Sequence, residues 1–115
     1  MLRLQKMYEL NYRECSTGWR RVAGHTMTLS SYPGIVQSLD DFYIISSGLV
    51  AAETTIGNSR RELYKFIEPL GQILEFVRAM VANRLARDGR EWVTIFSKYN
   101  SGTYNNQWSL FYPIY

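Results

Sequence analysis

Cysteine and histidine each occur once in these 115 residues, at Cys15 and His25. A single cysteine excludes an internal disulfide framework and any multi-cysteine zinc site, and a single histidine excludes a His-rich metal cluster. Long apolar runs are also missing, and nothing approaches the roughly 20 consecutive apolar residues that a membrane-spanning helix requires. Arg3, Lys6 and Glu9 interrupt the first dozen residues, which therefore lack the apolar core and small-residue cleavage site of a signal peptide. No Asn-x-Ser/Thr glycosylation acceptor is present. Read as a complete chain, these absences describe a soluble, cytosolic protein. Charge of one sign is not in large excess either. Thirteen Lys and Arg against ten Asp and Glu leave a net +3, spread along the chain, which does not imply a nucleic-acid partner. What remains is 46% hydrophobic and 15% aromatic, enough for a modest core and too apolar for a disordered tail.

Several elements follow from pattern. Leu4, Met7, Tyr8 and Leu10 approach helical spacing and predict a short helix over residues 1–12. Residues 13–25 are polar and punctuated by Gly18 and Gly24, as a loop would be. Residues 26–30 alternate weakly and predict a short strand, ended by a turn at Ser31-Tyr32-Pro33-Gly34. Two apolar, partly β-branched runs, 42–46 and 49–55, joined through Ser47-Gly48, predict a β-hairpin. Asn58 or Ser59 is placed to cap a helix over 60–66. Ile73, Phe76, Val77, Met80, Val81 and Leu85 share one helical face, which predicts a core helix over 72–87 with Gly89 as its stop. Trp92, Ile95, Phe96 and Tyr99 predict a second amphipathic helix, and the polar tract 100–108 reads as a loop running into a strand. The pattern is one α+β unit.

Candidates for chemistry are few. Cys15 has Arg13, Arg20 and Arg21 nearby in sequence, yet a reactive thiolate needs a spatial activator, and a loop cysteine without a role is the simpler reading. The same holds for His25 as a base. Asp40-Asp41 precede a strand and point in different directions, so they read as turn and cap residues rather than paired acid–base carboxylates. Glu53, in an otherwise apolar strand, implies a buried partner, an arginine by default. Arg60-Arg61 fit an exposed helix start as well as a phosphate contact. Thr54 and Thr55 are adjacent, so at most one faces a pocket. The tract from Asn100 to Gln107 gathers amides and hydroxyls around Gly102, a composition that suits an oxyanion hole as well as it suits an Asn/Gly-rich turn.

A resemblance then emerges from ordered segments. These are Ser30-Ser31-Tyr32-Pro33-Gly34, Asp40-Asp41-Phe42-Tyr43-Ile44, Ser47-Gly48-Leu49-Val50, Glu53-Thr54-Thr55-Ile56-Gly57-Asn58 and Val81-Ala82-Asn83-Arg84-Leu85-Ala86. The most specific is Phe96-Ser97-Lys98-Tyr99-Asn100-Ser101-Gly102-Thr103-Tyr104-Asn105-Asn106-Gln107-Trp108. Together they resemble an internal stretch of the phospholipase B-like (laminin ancestor-like) proteins, over nearly the whole chain.

That resemblance implies a fragment of an N-terminal-nucleophile hydrolase, an αββα sandwich, matured by a cleavage that exposes a cysteine. Its thiol would attack an ester or amide carbonyl while its own α-amine acts as base. The matching nucleophile lies upstream of residues 1–12, so neither Cys15 nor His25 inherits a catalytic role. Thr55 matches a pocket-lining position. Asn100, Asn105 and Asn106 match the family's polar tract and, by analogy with the related acylases, are candidates to bind an oxyanion or the substrate carbonyl. The family continues beyond Trp108 as a strand, so residues 1–115 are expected to be a partial domain, truncated at both ends and inactive alone. The implied function is hydrolysis of glycerophospholipid esters in the lysosomal lumen or outside the cell. The implied partners are a phospholipid or other acyl substrate and the remainder of the same domain, with no cofactor, metal, nucleic acid or transmembrane segment. Two alternatives stand beside it: an N-acyl amide hydrolase of the same fold, and a non-catalytic fragment or pocket protein.

Overall fold

The computed structural model describes residues 4–67 and 69–112. Its centre is a fully antiparallel five-stranded sheet in the order β1-β4-β5-β6-β7, formed by Leu4–Glu9, Thr26–Ser31, Phe42–Ile45, Val50–Thr54 and Gln107–Phe111. A short ribbon, β2 (Arg13–Glu14) with β3 (Arg20–Arg21), closes the loop between β1 and β4. Helices α1 (Glu75–Leu85) and α2 (Gly89–Phe96) cover one face of the large sheet. The architecture is mixed α+β, as composition and pattern predicted.

The first described element is a strand where part of the helix over residues 1–12 was expected; residues 1–3 of that helix lie outside the described residues. Leu4, Lys6 and Tyr8 are half-buried while Gln5, Met7 and Glu9 are exposed, a period of two rather than 3.6. Six register pairs with β4, from Leu4 opposite Ser31 to Glu9 opposite Thr26, outweigh the weak helical spacing. Lys6 is the inward charge of this edge strand, and its Nζ donates to the carbonyls of Tyr32 and Ile35, both at 2.5 Å.

The hairpin forms where expected, with Gly48 at φ +86° in the turn, a conformation that suits glycine. Residues Arg61–Phe66 form a 3₁₀ helix with no buried side chain, and Asn58 Oδ1 accepts from the Arg60 N–H at 3.0 Å just before it. Gly89 is not a helix stop but the first residue of α2. Asp88 caps that helix by accepting from the Glu91 N–H at 2.8 Å.

Helix α1 is shorter than 72–87, and the face it buries differs from the one predicted. Arg78, Ala79, Ala82, Asn83 and Arg84 are buried, whereas Ile73, Val81 and Leu85 are exposed. The small side chains of Ala82 and Ala86 allow the helix to lie close to Met27, Leu29, Tyr43 and Ala51. The larger apolar stripe instead borders a groove of about 660 Å³ with Tyr8, Leu10, Tyr12 and Val22 on its other wall. The core proper is completed by Trp92 and Trp108, whose rings lie 5.1 Å apart, with Phe96 within 5.4 Å of both. The opposite face of the sheet exposes Met7, Phe42, Ile44 and Phe111, and no helix among the described residues covers it.

Candidate functional site

Strand register brings two of the sequence-predicted residues, Thr55 and Asn106, to one end of the sheet. Thr54 is the last residue of β6 to pair, opposite Gln107, and Thr55 and Asn106 follow directly from that last pair. The Ile56 N–H donates to Asn106 Oδ1 at 3.4 Å, which holds the two segments together beyond the strands. Thr55 and Asn105 are exposed, while Asn106 is half-buried and its Nδ2 is a buried donor with no partner among the described residues.

Asn100 lies apart from that group. Its Oδ1 accepts from the Gly102 N–H at 2.9 Å and from Arg78 Nη2 at 3.5 Å, a turn-forming contact that shapes the loop. Arg78 directs its other donors to the carbonyls of Phe96 (2.6 Å) and Ile73 (3.2 Å) and lies over the Phe96 ring at 4.6 Å. The polar tract is thus anchored to both helices at its start and to β6 at its end.

Sequence reasoning set aside a second cluster at the same end of the sheet. Asp40 and Asp41 do diverge. Asp40 accepts from Ser30 Oγ and, at 3.4 Å, from the Tyr32 hydroxyl, but Asp41 turns inward and is buried. Its carbonyl accepts from the Glu53 N–H at 2.9 Å, which sets the two acids side by side. The arginine expected beside Glu53 is replaced by this second acid, and Glu53 Oε1 is buried without a partner. Glu75, in the first turn of α1, adds a third carboxyl, and its Oε1 is likewise buried and unpartnered.

Burial, reinforced by the charge of Glu75 and the bond to Glu53, pushes Asp41 up to about 7. Burial also raises Glu75, against the opposing pull of Arg78. A cavity of about 460 Å³ opens beside them, with Asp41, Glu75, Tyr104, Gln37, Ser101 and Thr103 in its walls. The signals for this cluster were the glutamate in an apolar strand and the paired aspartates before its neighbour.

The remaining candidates are dispersed. Cys15 is an exposed free thiol at the start of a 3₁₀ turn, and Ser46 Oγ lies 3.2 Å from His25 Nδ1. His25 contributes a carbonyl to buried Arg84, whose Nη1 donates to the oxygens of Gly24 (2.7 Å) and His25 (3.1 Å). Arg60 and Arg61 are exposed. No group of three or more His, Cys, Asp or Glu among the described residues is arranged to hold a metal ion. No helix among them is long and apolar enough to cross a membrane.

The family model described as Phospholipase B matches residues 1–112. The chain belongs to the phospholipase B family. It is 54% identical over 96% of its length to the protein named "Putative phospholipase B-like 2" of Homo sapiens, and 45% identical over 96% to the one named "Putative phospholipase B-like 3" of Caenorhabditis elegans. It is also 45% identical over 94% to phospholipase B-like 1 of Homo sapiens. The resemblance read from the ordered segments is therefore correct. The chain spans about a fifth of the length of these phospholipase B relatives, 19%, 18% and 18% respectively. The Thr55–Asn106 corner and the carboxyl-lined cavity both lie within the matched region.

Proposed function

We propose that this phospholipase B chain forms part of a hydrolase that releases acyl groups from glycerophospholipid esters. The observation that carries this reading is the match to the family over residues 1–112, at 54% identity to a phospholipase B-like relative. Thr55 lines the reaction pocket, and Asn106 presents its unpartnered Nδ2 to the carbonyl oxygen that becomes negative as the ester is attacked. Asn105 flanks the same corner, and Asn100 shapes the loop that carries both. The attacking group is an N-terminal cysteine thiol supplied by another part of the polypeptide, with its own α-amine as base. Cys15, exposed and remote in the chain from the Thr55–Asn106 corner, is not that nucleophile.

Residues 1–115 are one portion of an αββα sandwich. The exposed apolar side chains Met7, Phe42, Ile44 and Phe111 support this assignment, because a second sheet stacked on that face would cover them. The groove between β1 and α1 is a further seat for the same remainder. The compartment is the lysosomal lumen or the extracellular space, and no cofactor takes part.

The discriminating experiment places this segment in a full-length phospholipase B-family polypeptide, in exchange for its counterpart. Fatty acid release from a phospholipid and from an N-acyl amide is then measured side by side, with the 115-residue chain assayed alone. Ester cleavage by the exchanged protein and none by the chain alone support the reading. Amide cleavage without ester cleavage favours the N-acyl hydrolase, and ester hydrolysis by the isolated chain overturns the placement of the nucleophile.

A further inference from the structure

We propose that Asp41, Glu53 and Glu75 form a proton-operated latch. When protonated, it holds the start of α1 and the 99–106 loop against the ends of β5 and β6, and when ionised it releases them. This inference does not depend on the hydrolase reading or on any substrate.

The argument begins with register. Tyr43 pairs with Ala51, so Asp41 stands opposite Glu53, and Glu53 is paired with Trp108 on the next strand. Both acids therefore sit on the helix side of the sheet, beneath the first turn of α1, where Glu75 meets them. Two carboxyl groups set side by side in a buried site can share a hydrogen bond only if one carries a proton. Losing that proton leaves like charges in a site where Asp41 is only 6% exposed and where the buried Glu53 Oε1 and Glu75 Oε1 have no donor among the described residues.

The groups around Asp41 offer little compensation. Asp40 adjoins it in the turn and adds negative charge, Tyr43 follows on β5, and Glu53 comes from β6. From α1 come Glu75 and Arg78. Tyr104 faces the cluster from the loop, where burial and then the charges of the three acids hold its phenol above its ordinary value. Arg78 is the one cation among these groups, and it is committed to the carbonyls of Ile73 and Phe96. The cavity between the acids and the loop leaves room for the parts to move. The Ile73 N–H donates to the Tyr99 carbonyl at 3.0 Å, so the approach to α1 and the loop move as one.

Burial, then the Glu75 charge and the Glu53 bond, raise Asp41 to about 7, so its proton is held more tightly in the folded chain than in the unfolded one. The associated stability is complete below about pH 4, the unfolded value, and is lost as pH rises through about 7.

Urea unfolding of the 115-residue chain between pH 4 and pH 8, with amide exchange followed in parallel, tests the latch. The unfolding constant should rise at least about tenfold between pH 5 and pH 7, the effect of one pKa unit. The Glu53 and Ile73 amides should exchange faster than the intrinsic pH dependence dictates, while those of the β4–β5 core do not. Asp41→Asn should flatten the profile, and Asn suits the left-handed backbone found there, φ +46°. If that variant fails to fold, Glu75→Gln carries the test: removing its charge should move the transition to lower pH. A wild-type unfolding constant that is flat or falls from pH 5 to pH 7 overturns the proposal, as does a slope that survives both substitutions.

Discussion

The indole Nε1 of Trp92 donates to Asn83 Oδ1 at 2.7 Å, with both side chains sealed from solvent. This bond ties α2 to α1, and Asn83 Nδ2 extends it to the sulfur of Met27 on β4, 3.6 Å away. The sheet and both helices thus meet at one buried amide. Asn83→Ala strands the indole N–H and should cost about 1–3 kcal/mol. Trp92→Ala empties the centre of the aromatic cluster and should cost about 3–5 kcal/mol. Urea denaturation of the two variants measures both, and near-equal costs would contradict the ranking.

Gly24 is fixed by approach rather than by turn geometry. A Cβ there would lie 1.9 Å from the Asn83 carbonyl oxygen and 2.9 Å from Arg84 Cα, both backbone atoms that cannot swing aside. Gly24→Ala should destabilise by about 3 kcal/mol. Gly89→Ala meets nothing nearer than Leu110 Cδ1 at 3.7 Å and should stabilise by about 0.5 kcal/mol. Thermal melts of the pair should shift in opposite directions.

Tyr43 is 0% exposed, and its hydroxyl accepts from the Ser38 N–H and donates to the Ser38 carbonyl. Burial raises its phenol well above the ordinary tyrosine value, with Asp41 and Glu75 adding to the rise. The neutral form is the one the fold holds, so its stabilisation is present below about pH 10 and is lost as pH climbs past that value. Absorbance titration should show Tyr43 ionising only as the chain unfolds. Tyr43→Phe should remove that late step and cost about 1 kcal/mol.

Cys15 is exposed and takes no role in the proposed chemistry. Cys15→Ser should change stability by less than about 0.5 kcal/mol and leave ester hydrolysis by the exchanged full-length protein intact. Loss of hydrolysis would return Cys15 to the site.

The parts of the fold legible in the sequence were those set by local chemistry. The Ser47-Gly48 turn marked its hairpin, and the apolar spacing of Trp92, Ile95 and Phe96 marked α2. Residues 4–9 misled because their identity as a strand is conferred by β4, a partner 17 residues further along, while their spacing allowed a helix. Helix α1 misled for a related reason. The large apolar stripe suggested the core, but close packing on the sheet favoured Ala82 and Ala86. At the site, Thr55 and the asparagines were marked by family resemblance. The Asp41–Glu53 pairing was not, because adjacent aspartates diverge and only strand register shows which one turns inward.

The most direct test of the proposed function is Asn106→Ala, with Thr55→Ala alongside, in the full-length family polypeptide carrying this segment. The measurement is kcat for fatty acid release from phospholipid, with melting temperature recorded to confirm the fold. Loss of the Asn106 donor is predicted to lower kcat by about a hundredfold, and Thr55→Ala to lower it by at least about tenfold, with melting unchanged. Wild-type kcat in both folded variants would contradict the assignment of this corner to the hydrolytic site.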